Sequence, residues 1–288
     1  MSKISRRGLR ITAAAAGAGV IAAAAWAATA QAGPAAAATS APQRATPVTR
    51  VQLFPMPQGT VTFGRDRHGE VDVTVNAFGL TPGSSHKVEL VDGHGQVITT
   101  FSRLTANSAG QARDETLRSG YPGTVGAWRV VVRNGTAGNQ VSAERIARTG
   151  DYSDGRRTYQ LIAVEADPDG KSYGTPQGSA VVAYDRNAET ISVTVNASGF
   201  EPGRHAAHIH VGSCASQGPV RYMLMDFTAN GDGRVVNQTR VVNDVTTPLP
   251  ATGWYFNLHQ GNSGNILANG RPTINFRPLL CGDIVTHG

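Results

Sequence analysis

Residues 71–78 read VDVTVNAF, and residues 191–198 read ISVTVNAS. In the first, Val71, Val73 and Val75 alternate with Asp72, Thr74 and Asn76; in the second, Ile191, Val193 and Val195 alternate with Ser192, Thr194 and Asn196. Period-two alternation marks half-buried antiparallel strand, one face on a core and the other in water. Turn signals (TPG, DGHG, NSAG, PGTVG, ADPDG, NGDG) recur at short intervals, as in a sandwich or barrel. No segment beyond residue 32 keeps a helical period, so the chain is predicted to be all-β.

The two strands sit inside a longer likeness. MPQGTVTFGRDRHGEVDVTVNAFGLTPG (56–83) matches TPQGSAVVAYDRNAETISVTVNASGFEPG (175–203) with one residue of slippage. LTANSAGQ (104–111) matches FTANGDGR (227–234), and AWRVVVRNGTAGN (127–139) matches GWYFNLHQGNSGN (253–265). Collinear similarity of this kind is an internal duplication. The expected organisation is two tandem Greek-key β-sandwich or barrel domains, residues 51–148 and 158–288, joined by TGDYSDGRR (149–157).

Ahead of them stand two further segments. Residues 1–32 carry Lys3, Arg6, Arg7 and Arg10, then an alanine-rich run and a small-x-small site at Ala30-Gln31-Ala32. This reads as an export signal, and the Arg6-Arg7 pair also fits a twin-arginine signal. Residues 33–50 are small, polar and proline-spaced, and read as a disordered lead-in. The formal charge of the whole chain is +6, but without the four basic groups of the signal it falls to +2. No Lys/Arg stripe interleaves with aromatics, so nucleic acid is not an expected partner, and no integral membrane span is expected once the signal is gone. The protein is expected to be secreted or held in the cell envelope. Its two cysteines, Cys214 and Cys281, are then expected to form a disulfide.

Chemistry concentrates in GRHAAHIHVGSC (203–214), which holds three of the eight histidines. By strand parity Ala207, Ile209 and Val211 share one face, and His208 and His210 the other. Residues two apart on a strand lie about 6.5–7 Å apart, so two imidazoles can converge on one ion. In GWYFNLHQG (253–261) Trp254, Phe256 and Leu258 form the apolar row, while Tyr255, Asn257 and His259 face away from it. All three histidines therefore lie opposite the core side of their strands, either as surface groups that never meet or as one metal site. Hydrophobic parity places Lys87 and Glu89 of the first copy at the positions of His208 and His210. A gapless alignment places Val88 and Leu90 there, and Arg133 stands where His259 stands. The three histidines and both cysteines thus occur together in one copy only.

GFEPGRHAAHIHVGSCASQGP (199–219) resembles the copper-binding segment of copper–zinc superoxide dismutases, and the likeness extends to TANGDG (228–233) and LLCGDI (279–284). A milder resemblance is to the CHRD domain, which also carries an H-I-H strand and a Y-x-N-x-H strand. The dismutase resemblance implies that His208, His210 and His259 bind one copper ion, that His205 braces the site, and that Cys214 pairs with Cys281. It also has departures. Val220 occupies the place of the histidine that bridges copper and zinc. Only RYMLMDF (221–227) stands where the zinc loop should be, so zinc is not expected. Arg277 lies one place from the position of the family's anion-guiding arginine, and is the candidate catalytic residue.

Two functions follow as expectations. One is copper-dependent dismutation of superoxide to oxygen and hydrogen peroxide, without zinc. The other is a non-catalytic, CHRD-like binding module that holds copper passively or not at all, with the first copy binding an envelope partner. A zinc ion on three histidines and water is the weaker third, because no Glu or supporting Asp is placed for it.

Overall fold

The computed structural model describes residues 48–121, 128–133, 140–143, 157–161, 163 and 173–286. The expected export signal, most of the lead-in and most of the 149–157 connector lie outside the described residues. The strands of the first half are β1 (Val48–Pro55), β2 (Gln58–Arg65), β3 (Val71–Phe78), β4 (Ser85–Val91) and β5 (Val97–Thr100). They continue as β6 (Leu104–Thr105), β7 (Gln111–Arg118), β8 (Arg129–Arg133), β9 (Gln140–Ala143) and β10 (Arg157–Leu161). The second half has β11 (Gln177–Asp185), β12 (Thr190–Ser198), β13 (Gly203–Val211), β14 (Val220–Ala229) and β15 (Arg234–Val242). It closes with β16 (Trp254–His259), β17 (Leu267–Ala268), β18 (Arg271–Pro272) and β19 (Pro278–Ile284). Among the described residues the only helical element is one 3-10 turn, Ile274–Phe276. The protein is all-β, as the alternation predicts.

Alternation becomes burial directly. In β12 the exposure pattern swings residue by residue, with Ile191, Val193 and Val195 buried. These three join Val182, Phe227, Phe256 and Leu280 in one core, while Val73, Val75, Phe63 and Val132 belong to a second. Each copy of the duplication has its own core.

The strand order contains something the duplication does not predict. The second core is enclosed by an eight-stranded, nearly closed sheet in the order β14-β13-β16-β19-β1-β11-β12-β15. The first copy has β5-β4-β8-β9 and β10-β2-β3-β7. Superposing the orders equates β10 with β1. The copies have exchanged their leading strands: β1 pairs with β11 and β19 of the second copy, and β10 pairs with β2 of the first.

Both exchanged strands contribute to the core they join. Thr49, Val51 and Leu53 of β1 turn inward, the last two entering the second core, and Leu161 of β10 enters the first. At the β1–β19 seam a Cβ on Gly282 would stand 2.5 Å from the Gln52 carbonyl oxygen, so only glycine lets the two backbones close. The expected boundary between residues 50 and 51 therefore falls inside a strand, and Val48–Arg50, read as part of a disordered lead-in, are ordered strand.

Candidate metal centre

β13 and β16 are antiparallel neighbours, with Ala207 opposite Leu258, His208 opposite Asn257, Ile209 opposite Phe256 and His210 opposite Tyr255. Ala207, Ile209, Phe256 and Leu258 all point into the core. His208, His210 and His259 consequently share the other face, and there they meet. His208 Nδ1 lies 3.0 Å from His259 Nε2. The ring centroids of His208 are 5.4 Å from His210 and 4.9 Å from His259. One nitrogen from each ring falls within 4.8 Å of the others.

The face away from the core is not a wet one. His208 and His210 are 3% exposed and His259 is 0%, which excludes the reading of three separate surface histidines. Two segments lie over them. The loop after β13 brings the Gly218 carbonyl within 2.9 Å of His210 Nδ1. The turn before β19 brings the Phe276 carbonyl within 2.5 Å of His259 Nδ1 and its ring within 4.7 Å of the imidazole. A carbonyl only accepts, so both rings carry their proton on Nδ1 and present a lone pair at Nε2. His210 also stacks on Tyr255, ring to ring at 4.8 Å.

Three buried polar atoms here, His210 Nε2, the Tyr255 hydroxyl and Asn257 Oδ1, make no hydrogen bond of ordinary geometry, although Asn257 still acts on His210 and the Gly218 backbone on Tyr255. Orphans of this kind are scarce in folded proteins and call for a cause, such as a bound ion. Imidazole nitrogens bind metal at about 2 Å, so two on one ion lie within about 4 Å of each other. The His208–His259 pair meets that already, and His210 needs only a modest approach. The residues fit a metal ion.

Burial also keeps the rings neutral. It lowers the His208 pKa to about 4, with His210 adding to the effect and Asp226 opposing it. Burial lowers His259 to about 3, helped by His208 and resisted by the Phe276 carbonyl. His210 is lowered by burial against the Gly218 carbonyl and Asn257. Below about pH 6.5 the unfolded chain takes up protons that His208 and His259 refuse until about pH 4 and about pH 3. Stability of the metal-free protein should therefore fall with pH through that window, by up to about 1.4 kcal/mol per pH unit per ring. Urea midpoints measured from pH 7 to pH 4 test this. A His208→Asn/His259→Asn variant with the same pH slope as the parent would refute it.

His205 stands apart from the ligand group. Its Nδ1 lies 3.0 Å from the His259 carbonyl and its Nε2 2.8 Å from the Glu201 carbonyl, with the ring against Phe200. It ties β13 to the backbone of β16 beside the third imidazole. Arg277 is 3% exposed, its Nε donates to Gln260 Oε1 at 3.1 Å, and its carbonyl accepts from the Gln260 N–H.

The register of the first copy corrects the sequence alignment. Val88 faces Val132 and Lys87 faces Arg133, just as Ala207 faces Leu258. With Arg133 equivalent to His259, Glu89 takes the place of His208 and Val91 that of His210, rather than Lys87 and Glu89. His86 then matches His205, and it too holds the neighbouring strand, through Nδ1 and the Arg133 carbonyl at 3.1 Å. Where the second copy sets imidazole against imidazole, the first sets Glu89 against Arg133 Nε at 2.5 Å, with Lys87 on the other carboxylate oxygen. Burial pushes the Glu89 carboxyl up, but the two cations outweigh it and leave its pKa below the ordinary value.

Cys214 and Cys281 are disulfide-bonded. The bridge pins the loop that supplies Gly218, and Asp283 Oδ1 accepts from the Cys214 N–H at 2.7 Å. Gly218 itself must be glycine, because a Cβ there would collide with the Val211 carbonyl oxygen. The first copy supports the same loop: Gln217 bonds to the Ala109 and Leu80 carbonyls, and Gln111 reaches the Ala215 carbonyl.

Sequence reading missed Asp226. Its carboxylate is held by Arg204 Nη2 at 3.0 Å and the Ser263 N–H at 3.1 Å, close enough to His208 to oppose the loss of its proton affinity. An acid beside Phe227 in an otherwise apolar stretch was the available signal.

Fold and cluster together define a β-barrel protein with a buried group of three converging imidazoles. Residues 158–266 match the family model of the CHRD domain. The match includes β13 and β16 with all three histidines, and leaves out β1 and β19, two strands of the same barrel. It is the milder of the two resemblances read from the sequence that is matched; no match to a superoxide dismutase family is found. No curated protein matches the chain. Among the described residues no helix is long and apolar enough to cross a membrane.

Proposed function

We propose that this is an exported copper-binding β-barrel protein in which His208, His210 and His259 hold one copper ion. The observation that carries the reading is the convergence of three neutral imidazoles inside a buried shell, with His208 Nδ1 and His259 Nε2 3.0 Å apart and one nitrogen of each ring within 4.8 Å of the others. A given set of nitrogen ligands binds Cu(II) more tightly than Zn(II), and imidazole-only coordination offers no hard oxygen to favour Mg, Ca or Mn. The disulfide belongs in an oxidising compartment, which agrees with the export signal read at residues 1–32. The chain's own residues fix the tautomers of His210 and His259, exclude water and set ring spacing through the β13–β16 register.

Dismutation of superoxide is a second reading, favoured by the likeness of GFEPGRHAAHIHVGSC to the dismutase copper segment. Copper supplies one-electron chemistry when bound, but a proton must reach the reduced oxygen. Val220, opposite His210 in the ladder and 43% exposed, stands where the resemblance places an imidazole. We therefore favour copper holding over turnover.

Equilibrium dialysis of the metal-free full chain against Cu(II) should retain one copper per chain, and His259→Ala should retain none. Equal retention by the two would end the copper reading. Superoxide decay with the loaded protein faster than with an unrelated copper-loaded protein would establish the dismutase reading; an equal rate would remove it.

A further inference from the structure

The chain has four methionines. Met56 is buried at 2% exposure, whereas Met223 and Met225 of β14 are 68% and 74% exposed. Leu224 between them turns into the core, so both side chains project from the outer face of the barrel, their Cα atoms about 6.5–7 Å apart along the strand. Single exposed apolar side chains are ordinary, but the register gives this pair a meaning. Met223 is the direct cross-strand partner of His208, and same-face partners have Cβ atoms about 4.5–5.5 Å apart. His208 spends its Nδ1 on the His259 side, and its Nε2 makes no hydrogen bond among the described residues. Met223 therefore stands beside the buried imidazole group, with Met225 next along the same exposed face. They lie in RYMLMDF, the short stretch that stands where the resemblance puts a zinc loop.

Thioether sulfur is a soft ligand that selects Cu(I) over harder cations, and methionine adapts its three torsions to the ion it meets. We propose that Met223 and Met225 form a surface capture site for Cu(I), from which the ion passes to His208 and its two partners. The passage is a ligand exchange, sulfur for nitrogen, with no change in oxidation state. It rests on the copper reading for its destination, but not for the capture step itself.

The test uses the metal-free full chain carrying methyl-labelled methionine, titrated anaerobically with acetonitrile-stabilised Cu(I). The methyl resonances of Met223 and Met225 should shift and that of Met56 should not. The same shifts should persist in His208→Ala/His259→Ala. Met223→Leu/Met225→Leu should slow Cu(I) uptake from a bicinchoninate complex while leaving the Cu(II) spectrum of the loaded protein unaltered. Absent methyl shifts, or uptake unaffected by the paired leucines, overturn the capture site and leave the copper centre standing. Methyl shifts in a protein that gives no bound Cu(II) spectrum overturn the copper centre and leave the capture site. Both absent, the exposed methionines are an apolar contact surface only.

Discussion

A chain beginning at Tyr173, which lacks both β1 and its counterpart β10, is expected to show no cooperative unfolding transition, although it contains all three histidines. It lacks β1, which sits between β11 and β19 in the middle of the barrel sheet. Its loss removes Val51 and Leu53 from the core, at 2% and 1% exposure in the full chain, each worth about 1.5–3 kcal/mol when fully buried. It also leaves two long strand edges unpaired where they were continuous. Against a typical net stability of about 5–15 kcal/mol, that is enough to unfold the barrel. Joining residues 45–55 through a flexible linker ahead of residue 173 should restore both the transition and copper binding. A truncated chain that melts with the midpoint of the full protein would show that the exchanged strand is dispensable.

The second large effect concerns the disulfide. Replacing both Cys214 and Cys281 by alanine should cost about 4 kcal/mol, from the entropy of the open chain across a separation of 67 residues. It should also weaken copper binding, because the bridge fixes the loop whose Gly218 carbonyl holds the His210 tautomer. The two losses separate by experiment. Urea unfolding without metal reads the first, and copper competition in the fully folded variant reads the second. If the variant keeps the parent's copper affinity while losing stability, the loop does not position His210.

These expectations rest on features that were unequally legible in the sequence. Alternation in 71–75 and 191–195 gave the strands, and the parity of HIH and WYFNLH put three imidazoles on one face. Parity could not choose between registers two residues apart, because both keep every side chain on its own face. That is why Lys87 and Glu89 were aligned where Glu89 and Val91 belong. Aligning His86 with His205, each holding the carbonyl of the next strand, would have settled it. The strand exchange was not legible for a related reason. VTRVQLFP reads as a strand whichever barrel it joins, and only tertiary packing decides which core receives Val51 and Leu53. The burial of the outward imidazoles likewise depends on two covering segments, at Gly218 and Phe276, that no periodicity announces.

The most direct test is electron paramagnetic resonance of the Cu(II)-loaded full chain, with spin-echo modulation to count imidazoles. Three imidazoles on one type-2 copper, with the signal lost in His259→Ala, is the predicted result. One imidazole, or a spectrum unchanged by His259→Ala, would contradict the claim that β13 and β16 hold a single ion between them.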